Sequence, residues 1–239
     1  MNRLAVASLA ALLPVFPVNA QATVDLPGDP VQWARSQTDK AAPLAPDLSK
    51  IEDEAVWRAS WSTTVEPCAA PPQSMRLYGL QPAHADKLVA ESILAGTVEG
   101  GWTFYAETGC PQTPVLRFLY LAETDGQHLL LVVNRGEVIS TPSMMRETSA
   151  IAGADAFEAA QARVPACDIS TVGMRQTRII DADPSLGPPV AGTRFAGGWT
   201  EGWRFTACGL PVDVTVRFDT DGKGGSTARI QNVSVGGGG

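Results

Sequence analysis

The sequence has few of the residues that most often bind metal ions or carry redox chemistry. Its 239 residues include two histidines, His84 and His128, and four cysteines. Neither histidine belongs to an H-E-x-x-H motif or lies beside a second metal-ligating residue, and no cysteines are spaced C-x-x-C. The sequence therefore gives no support for metal-dependent or dithiol chemistry, and we expect no metal and no cofactor.

Motifs for nucleophilic catalysis and phosphate binding are also missing. There is no G-x-S-x-G elbow and no Walker loop. The segment from Gly222 to Thr227 is rich in glycine, but it lacks the P-loop spacing and joins two predicted strands, which indicates a hairpin turn. We assign no catalytic residue. The sequence favours a protein without enzymatic activity but does not decide the question.

Long hydrophobic segments are scarce, and the most prominent one lies at the N-terminus. Arg3 precedes an apolar run, Leu4–Val18, which is shorter than the roughly 20 residues that a bilayer crossing takes. Small residues at Ala20 and Ala22 follow it, as in a cleavable secretion signal. We predict a signal peptide over residues 1–22, no transmembrane segment after its removal, and a periplasmic or secreted protein.

Basic residues are outnumbered by acidic ones, and lysine is especially rare. The chain has 18 Lys and Arg against 25 Asp and Glu, which gives a formal net charge of −7. A negative protein is repelled by nucleic acid and by anionic membranes, and no basic cluster overrides that repulsion here. We therefore expect no nucleic acid partner.

The four cysteines of this exported chain favour disulfides over metal ligation. Cys68 and Cys110 lie 42 residues apart, and Cys167 and Cys208 lie 41 apart. The second pair follows the first at offsets of 99 and 98 residues. We predict the disulfides Cys68–Cys110 and Cys167–Cys208, because the matching separations indicate one bond within each copy of a repeat.

Other short sequences repeat in the same order at offsets between 96 and 100 residues. They are Met75-Arg76 with Met174-Arg175, Ala95-Gly96-Thr97 with Ala191-Gly192-Thr193, Gly101-Trp102 with Gly198-Trp199, Arg117-Phe118 with Arg217-Phe218, and Asp125-Gly126 with Asp221-Gly222. We predict two tandem repeats, residues 48–141 and 142–239, preceded by a linker or N-terminal arm over residues 23–47.

The hydrophobic pattern of each repeat is mainly that of β-structure. In the second repeat Val212, Val214, Val216 and Phe218 alternate with polar residues, which predicts a half-buried strand. About four antiparallel strands fit each repeat. A helix is predicted ahead of each set, at Ser49–Ser60 and Ser143–Arg163. The predicted fold class is α+β, mainly β, with two disulfide-closed antiparallel β units.

The first repeat differs because one of its strands, Val115–Leu121, is apolar on both faces and needs cover on both sides. A helix predicted over His84–Leu94 carries one apolar stripe and can supply that cover. The second repeat is the alternative cover. We expect one or the other to shield the outer face of this sheet.

The most distinctive local pattern is Trp199-Thr-Glu201-Gly202-Trp203, which places two indoles and a carboxylate on one face of a strand. Such a set can stack on a sugar or hold a cation, and a carboxylate between indoles is suited to acid catalysis. Alternatively, the tryptophans fill the core and Gly202 forms a bulge that turns Glu201 outward. We retain Trp199, Glu201 and Trp203 as a possible binding site.

The sequence favours an exported binding or scaffold protein of the bacterial cell envelope, with an unknown envelope protein or glycan as partner. The alternative is an envelope hydrolase acting on glycans through Glu201 and a second, unidentified carboxylate. A protein inhibitor with a protruding rigid loop is a third possibility.

Overall fold

The computed structural model describes residues 26–61, 73–111 and 113–236. The predicted signal peptide and Cys68 lie outside these residues. Among the helices of the described ranges, none combines the length and the hydrophobicity needed to cross a bilayer.

The described residues form an α+β fold that is mainly β. The α-helices are α1 Pro30–Ala41, α2 Glu52–Trp61, α3 Lys87–Leu94 and α4 Pro142–Gln161. The strands are β1 Arg76–Pro82, β2 Val98–Glu107, β3 Val115–Glu123, β4 His128–Arg135, β5 Gly173–Ala182, β6 Gly198–Ala207, β7 Leu210–Thr220 and β8 Ser226–Val235.

The strands build two antiparallel sheets, each with its strands in sequence order. The first sheet is β1-β2-β3-β4 and the second is β5-β6-β7-β8. Helix α2 precedes the first sheet and α4 precedes the second. The prediction of four strands in each half, each set preceded by a helix, is confirmed.

The second sheet packs one face against α4. The alternating residues of β7, Val212 to Phe218, are buried as predicted, and Ala152, Ala156 and Ala160 of α4 meet them. These alanines recur every four residues, so they form one stripe of small side chains that lets the helix lie close to the sheet.

The first sheet is covered on both faces. Ala55 and Ala59 of the α2 segment pack on one face, against Phe104 and Phe118. On the other face Val89 of α3 packs against an apolar cluster of β3. The predicted helical cover is confirmed, although α3 begins at Lys87 and not at His84.

The segment predicted as a linker or N-terminal arm, residues 23–47, contains a helix that the sequence analysis did not predict. This helix is α1. Its start is well specified, because the Asp29 carboxylate accepts a hydrogen bond from the Gln32 N–H and Pro30 takes the first helical position. The apolar periodicity of this segment is weak, which is why the helix was not predicted.

The interpretation of Gly202 as a bulge is wrong. Strand β6, which contains Gly202, pairs with β7 in unbroken register. Gly202 lies opposite Thr215 and is not a bulge. The irregularities fall between β5 and β6, where the register shifts twice. Glu201 therefore keeps its alternation and points to the same face as Trp199 and Trp203.

The two sheets share strand register as well as strand order. Trp102 of β2 pairs with Tyr120 of β3. Shifts of 97 and 98 residues carry these two residues onto Trp199 and Phe218, which pair between β6 and β7. The Gly101-Trp102 landmark therefore occupies matching positions in the two sheets.

One sequence landmark does not fit this register. A shift of 98 residues carries the pair Phe118–Val132 onto Val216–Ile230, and both pairs are present in the structure. Phe118 thus corresponds to Val216 and not to Phe218. The resemblance of Arg117-Phe118 to Arg217-Phe218 is a coincidence of sequence.

The turn between β6 and β7 contains one of the predicted disulfides, which confirms it. Cys208 is bonded to Cys167, which follows α4, and their Cα atoms are 5.4 Å apart. Cys208 and Gly209 have φ angles of 50° and 77°, values that suit a two-residue hairpin turn.

The structure describes only one cysteine of the other predicted disulfide, Cys68–Cys110. Cys110, in the loop between β2 and β3, is disulfide-bonded. Because Cys68 lies outside the described residues, the Cys68–Cys110 pairing stays a prediction.

Candidate functional site

The Glu201 carboxylate lies in the interior and accepts five hydrogen bonds. The indole N–H groups of Trp199 and Trp203 donate to it at 2.9 Å each. The N–H groups of Ile139 and Ser140 donate at 2.9 and 2.8 Å, and the Ser140 hydroxyl at 2.9 Å. Both carboxylate oxygens are therefore occupied by donors from β6 and from the segment between the two sheets.

The predicted binding residues form this interior network. Strand alternation brings Trp199, Glu201 and Trp203 to one face as expected, and all three are 0% exposed. Trp199 also stacks on Phe218, with ring centroids 5.2 Å apart. In this structure the three side chains present no surface to a ligand, and the geometry gives them a packing role.

A buried arginine meets the same connecting segment from the first sheet. Arg117 of β3 is 4% exposed, and its Nη1 donates to the Ser140 carbonyl at 2.6 Å. Its Nη2 donates to the Thr103 hydroxyl at 3.3 Å, and the guanidinium lies 5.7 Å from the Tyr105 ring centroid. The Ser140 main chain is thus held by a cation of one sheet and an anion of the other.

Buried charges are costly unless opposite charges and hydrogen bonds compensate them. Hydrogen bonds compensate both charges here, and Arg117 and Glu201 reach the same residue, Ser140, although they belong to different sheets. Arg117, an isolated charge in an apolar strand, is the sequence feature that could have indicated a polar contact at this place. The residue that it contacts was not predictable, because it lies in the connecting segment.

A second buried carboxylate joins two helices. Asp86 caps α3, accepting from the N–H groups of Leu88 and Val89 at 3.0 and 3.4 Å. The same carboxylate accepts from the N–H and the hydroxyl of Ser143, at 2.8 and 2.9 Å. Since Ser143 lies in the first turn of α4, one anion satisfies the N-termini of two helices.

The histidines have separate structural environments. His84 is fully buried, with Nδ1 3.1 Å from the Thr38 hydroxyl and Nε2 accepting from the Gly101 N–H at 3.4 Å. Burial lowers its pKa to about 4. His128 lies 2.6 Å from Glu54 at the edge of the first sheet. Across the part of the chain that is described, no group of three His, Cys, Asp or Glu side chains is placed to hold a metal ion.

The region where the two halves of the chain meet, here called the junction, contains a cleft of about 360 Å³. We call it the apolar cleft. It lies between α3, the start of α4, β5 and the outer face of the first sheet. Its apolar lining residues are Leu88, Leu119, Leu131, Val133, Pro142, Met145 and Met174, and its polar lining residues are Ser143, Arg146 and Ser149. Leu119 and Leu131 are cross-strand partners in β3 and β4, so the floor of the cleft is part of the sheet.

The walls of the apolar cleft are fixed by polar contacts. The Asp86–Ser143 hydrogen bonds set α3 against α4. Lys87 of α3 and Glu147 of α4 add an ion pair of 3.2 Å between the same helices. The cleft therefore lies between elements that other contacts hold in place.

A second cleft at the junction is polar and has a volume of about 270 Å³. We call it the arginine cleft. Its lining includes Gln81, Tyr105, Arg117, Glu137 and Arg194. It receives side chains from the first sheet, from the segment that follows β4, and from the loop between β5 and β6.

The outer face of the second sheet has the character of a solvated surface. Arg217 donates to Asp183 and to Asp219, at 2.5 and 3.0 Å, and Arg204 pairs with Asp213 across β6 and β7. The contact with Arg217 lowers the pKa of Asp183. Oppositely charged partners thus neutralise most of this face.

Comparisons with known proteins assign no family: no protein-family model, no curated protein and no solved structure matches the chain.

Proposed function

We propose that the chain is an exported, non-catalytic binding protein of the bacterial cell envelope, built from two disulfide-stabilised repeats, and that its ligand site is the apolar cleft. The observation that carries this proposal is the cleft itself. Binding sites for small molecules are usually preformed, mainly apolar and about 300–1,000 Å³ in volume, and a cleft of about 360 Å³ between secondary structure elements fits that description.

The lining residues indicate the kind of ligand. Met145 and Met174 face the cleft together with leucines and a valine. Methionine side chains are flexible and polarisable, so they adapt to irregular apolar surfaces. An apolar or amphipathic small molecule, or the apolar part of an envelope component, is the class of ligand that this lining favours.

Three observations support export and duplication. The N-terminal sequence has the features of a secretion signal. The Cys167–Cys208 disulfide is typical of an oxidising compartment. The two sheets share strand order, and their registers match at shifts of 97 and 98 residues.

The glycan hydrolase alternative depends on an accessible acid, and Glu201 is the residue that the sequence offered. The Glu201 side chain is fully buried and its neighbours are five donors. This geometry favours a structural acceptor, because a glycosidase acid must reach the oxygen of the scissile bond.

The experiment is titration of the mature, oxidised protein with N-phenyl-1-naphthylamine, a neutral apolar dye whose fluorescence rises in apolar surroundings. We expect saturable binding to the natural chain. The Leu131→Trp variant fills the cleft and should lose it. Ile180→Trp is the matched control, since Ile180 is exposed on the second sheet, and it should keep the binding. Absence of saturable binding, or equal binding by both variants, would contradict the proposal.

A further inference from the structure

Two arginines of the junction have no partner among the described carboxylates. Some other arginines pair with acids, as Arg204 does with Asp213 and Arg217 with Asp183. Arg117 and Arg194 form no ion pair with any described carboxylate, and both line the arginine cleft. Two unpaired cations in one cleft are unexpected in a chain with a net charge of −7.

Arg117 retains hydrogen-bonding capacity inside the protein. Two of its nitrogens donate to Ser140 and Thr103, but the buried Nε–H has no acceptor. A buried donor without an acceptor costs about 1–3 kcal/mol. The residue is more than nine-tenths buried, and it is one of the residues that line the arginine cleft.

Arg194 is also partly removed from water. Its Nη1 donates to the Gly187 carbonyl at 2.5 Å, and burial lowers the pKa of its guanidinium. Two residues earlier, Gly192 has a φ of 82° and packs so closely that a Cβ there would lie 2.4 Å from the Pro82 carbonyl oxygen. The loop that contains Arg194 is therefore in close contact with the end of β1.

The acidic residue of the cleft does not neutralise these cations. Glu137 is exposed, and its carboxylate accepts a hydrogen bond from the Tyr78 hydroxyl at 3.0 Å. Burial, together with this contact, raises the pKa of Tyr78 to about 12, so the hydroxyl stays protonated and remains the donor. Glu137 thus has its own partner on β1.

We propose that the arginine cleft binds a small oxyanion between the guanidinium groups of Arg117 and Arg194. The ligand is a phosphate, a sulfate or a carboxylate, because these groups accept the paired N–H donors that a guanidinium presents. The site is distinct from the apolar cleft, and its occupation does not depend on the function proposed above.

The test is calorimetric titration of the mature protein with inorganic phosphate, sulfate and acetate, at constant ionic strength maintained with chloride. We expect saturable binding of at least one oxyanion. The Arg194→Gln variant should weaken it about 10-fold or more, the effect of losing a charge-assisted hydrogen bond. The three titrations distinguish a tetrahedral ligand from a carboxylate.

Arg178→Gln is the matched control, because Arg178 is an exposed arginine on neighbouring β5 that does not line the arginine cleft. It should leave the affinity unchanged. Absence of saturable binding for all three anions, or an Arg194→Gln affinity equal to that of the natural chain, would overturn the proposal. Both variants should still bind N-phenyl-1-naphthylamine, so the two proposals fail separately.

Discussion

Replacing Glu201 by glutamine tests how much the buried network contributes to stability. The carboxylate has donors on both oxygens, three on Oε1 and two on Oε2. In either orientation the new amide NH₂ group faces an indole N–H. In the less unfavourable orientation the NH₂ group takes the place of Oε2. It then faces the indole N–H of Trp203, which cannot turn away, and the hydroxyl of Ser140, which can rotate to accept a hydrogen bond.

The magnitude follows from these contacts. A buried donor left unsatisfied costs about 1–3 kcal/mol. We therefore expect Glu201→Gln to lower the free energy of unfolding by about 1–3 kcal/mol. For a chain of this size that corresponds to a decrease in Tm of about 2–12 °C.

The assay is urea unfolding followed by tryptophan fluorescence, with the slope of free energy against urea concentration compared between variants. Asp213→Asn is the control, since it removes an exposed carboxylate that pairs with Arg204 and should cost about 0–1 kcal/mol. Adding Trp203→Phe to Glu201→Gln removes the conflicting indole N–H, so the double variant should cost about 1 kcal/mol or more less than the sum of the two single variants. A cost for Glu201→Gln no larger than that of Asp213→Asn would refute the reasoning.

Three further predictions concern the pH dependence of stability, the contribution of one disulfide, and the disulfide pairing. The pKa of buried His84 is about 4, below its ordinary 6.5, so the unfolded chain takes up the proton first as the pH falls. The free energy of unfolding should therefore decrease between about pH 6.5 and pH 4, by up to about 3 kcal/mol. Urea titrations at several pH values should show that His84→Gln abolishes this part of the pH dependence. An unchanged pH profile in the variant would contradict the assignment of this pH dependence to His84. Replacing both Cys167 and Cys208 by alanine opens a loop of 41 residues and should cost about 4 kcal/mol in thermal or urea unfolding. Peptide mass mapping of the oxidised chain should find Cys167–Cys208 and Cys68–Cys110, and a Cys68–Cys167 bond would show the pairing to be wrong.

Much of the fold was predictable because its signals are local. The alternation of Val212 to Phe218 predicted β7, and the apolar residues on both faces of β3 predicted a sheet covered on both sides. Helix α1 was missed because it begins with strong capping residues but has little amphipathic periodicity. Capping residues alone can therefore mark the start of a helix that has little amphipathic periodicity.

The candidate sites were less predictable, because they are made by contacts between distant segments. The sequence placed Glu201 either on the face of the two tryptophans or turned outward at a bulge, but its partners Ile139 and Ser140 lie 62 and 61 residues earlier in the chain. No local pattern marks those main-chain donors. The two clefts likewise form where loops and strands of the two halves meet. The hydrophobic periodicity of a single strand does not predict which distant segments contact it.

The most direct test of the account locates a bound ligand at the junction of the two halves. Isotope-filtered NMR on the methyl-labelled, oxidised protein with unlabelled N-phenyl-1-naphthylamine measures which side chains contact the dye. We predict intermolecular contacts to the methyl groups of Leu131, Val133, Met145 and Met174, which line the apolar cleft. Contacts confined to the separate groove that contains Leu48, Met75 and Leu77, or no intermolecular contacts, would contradict the proposal that the junction is the binding site.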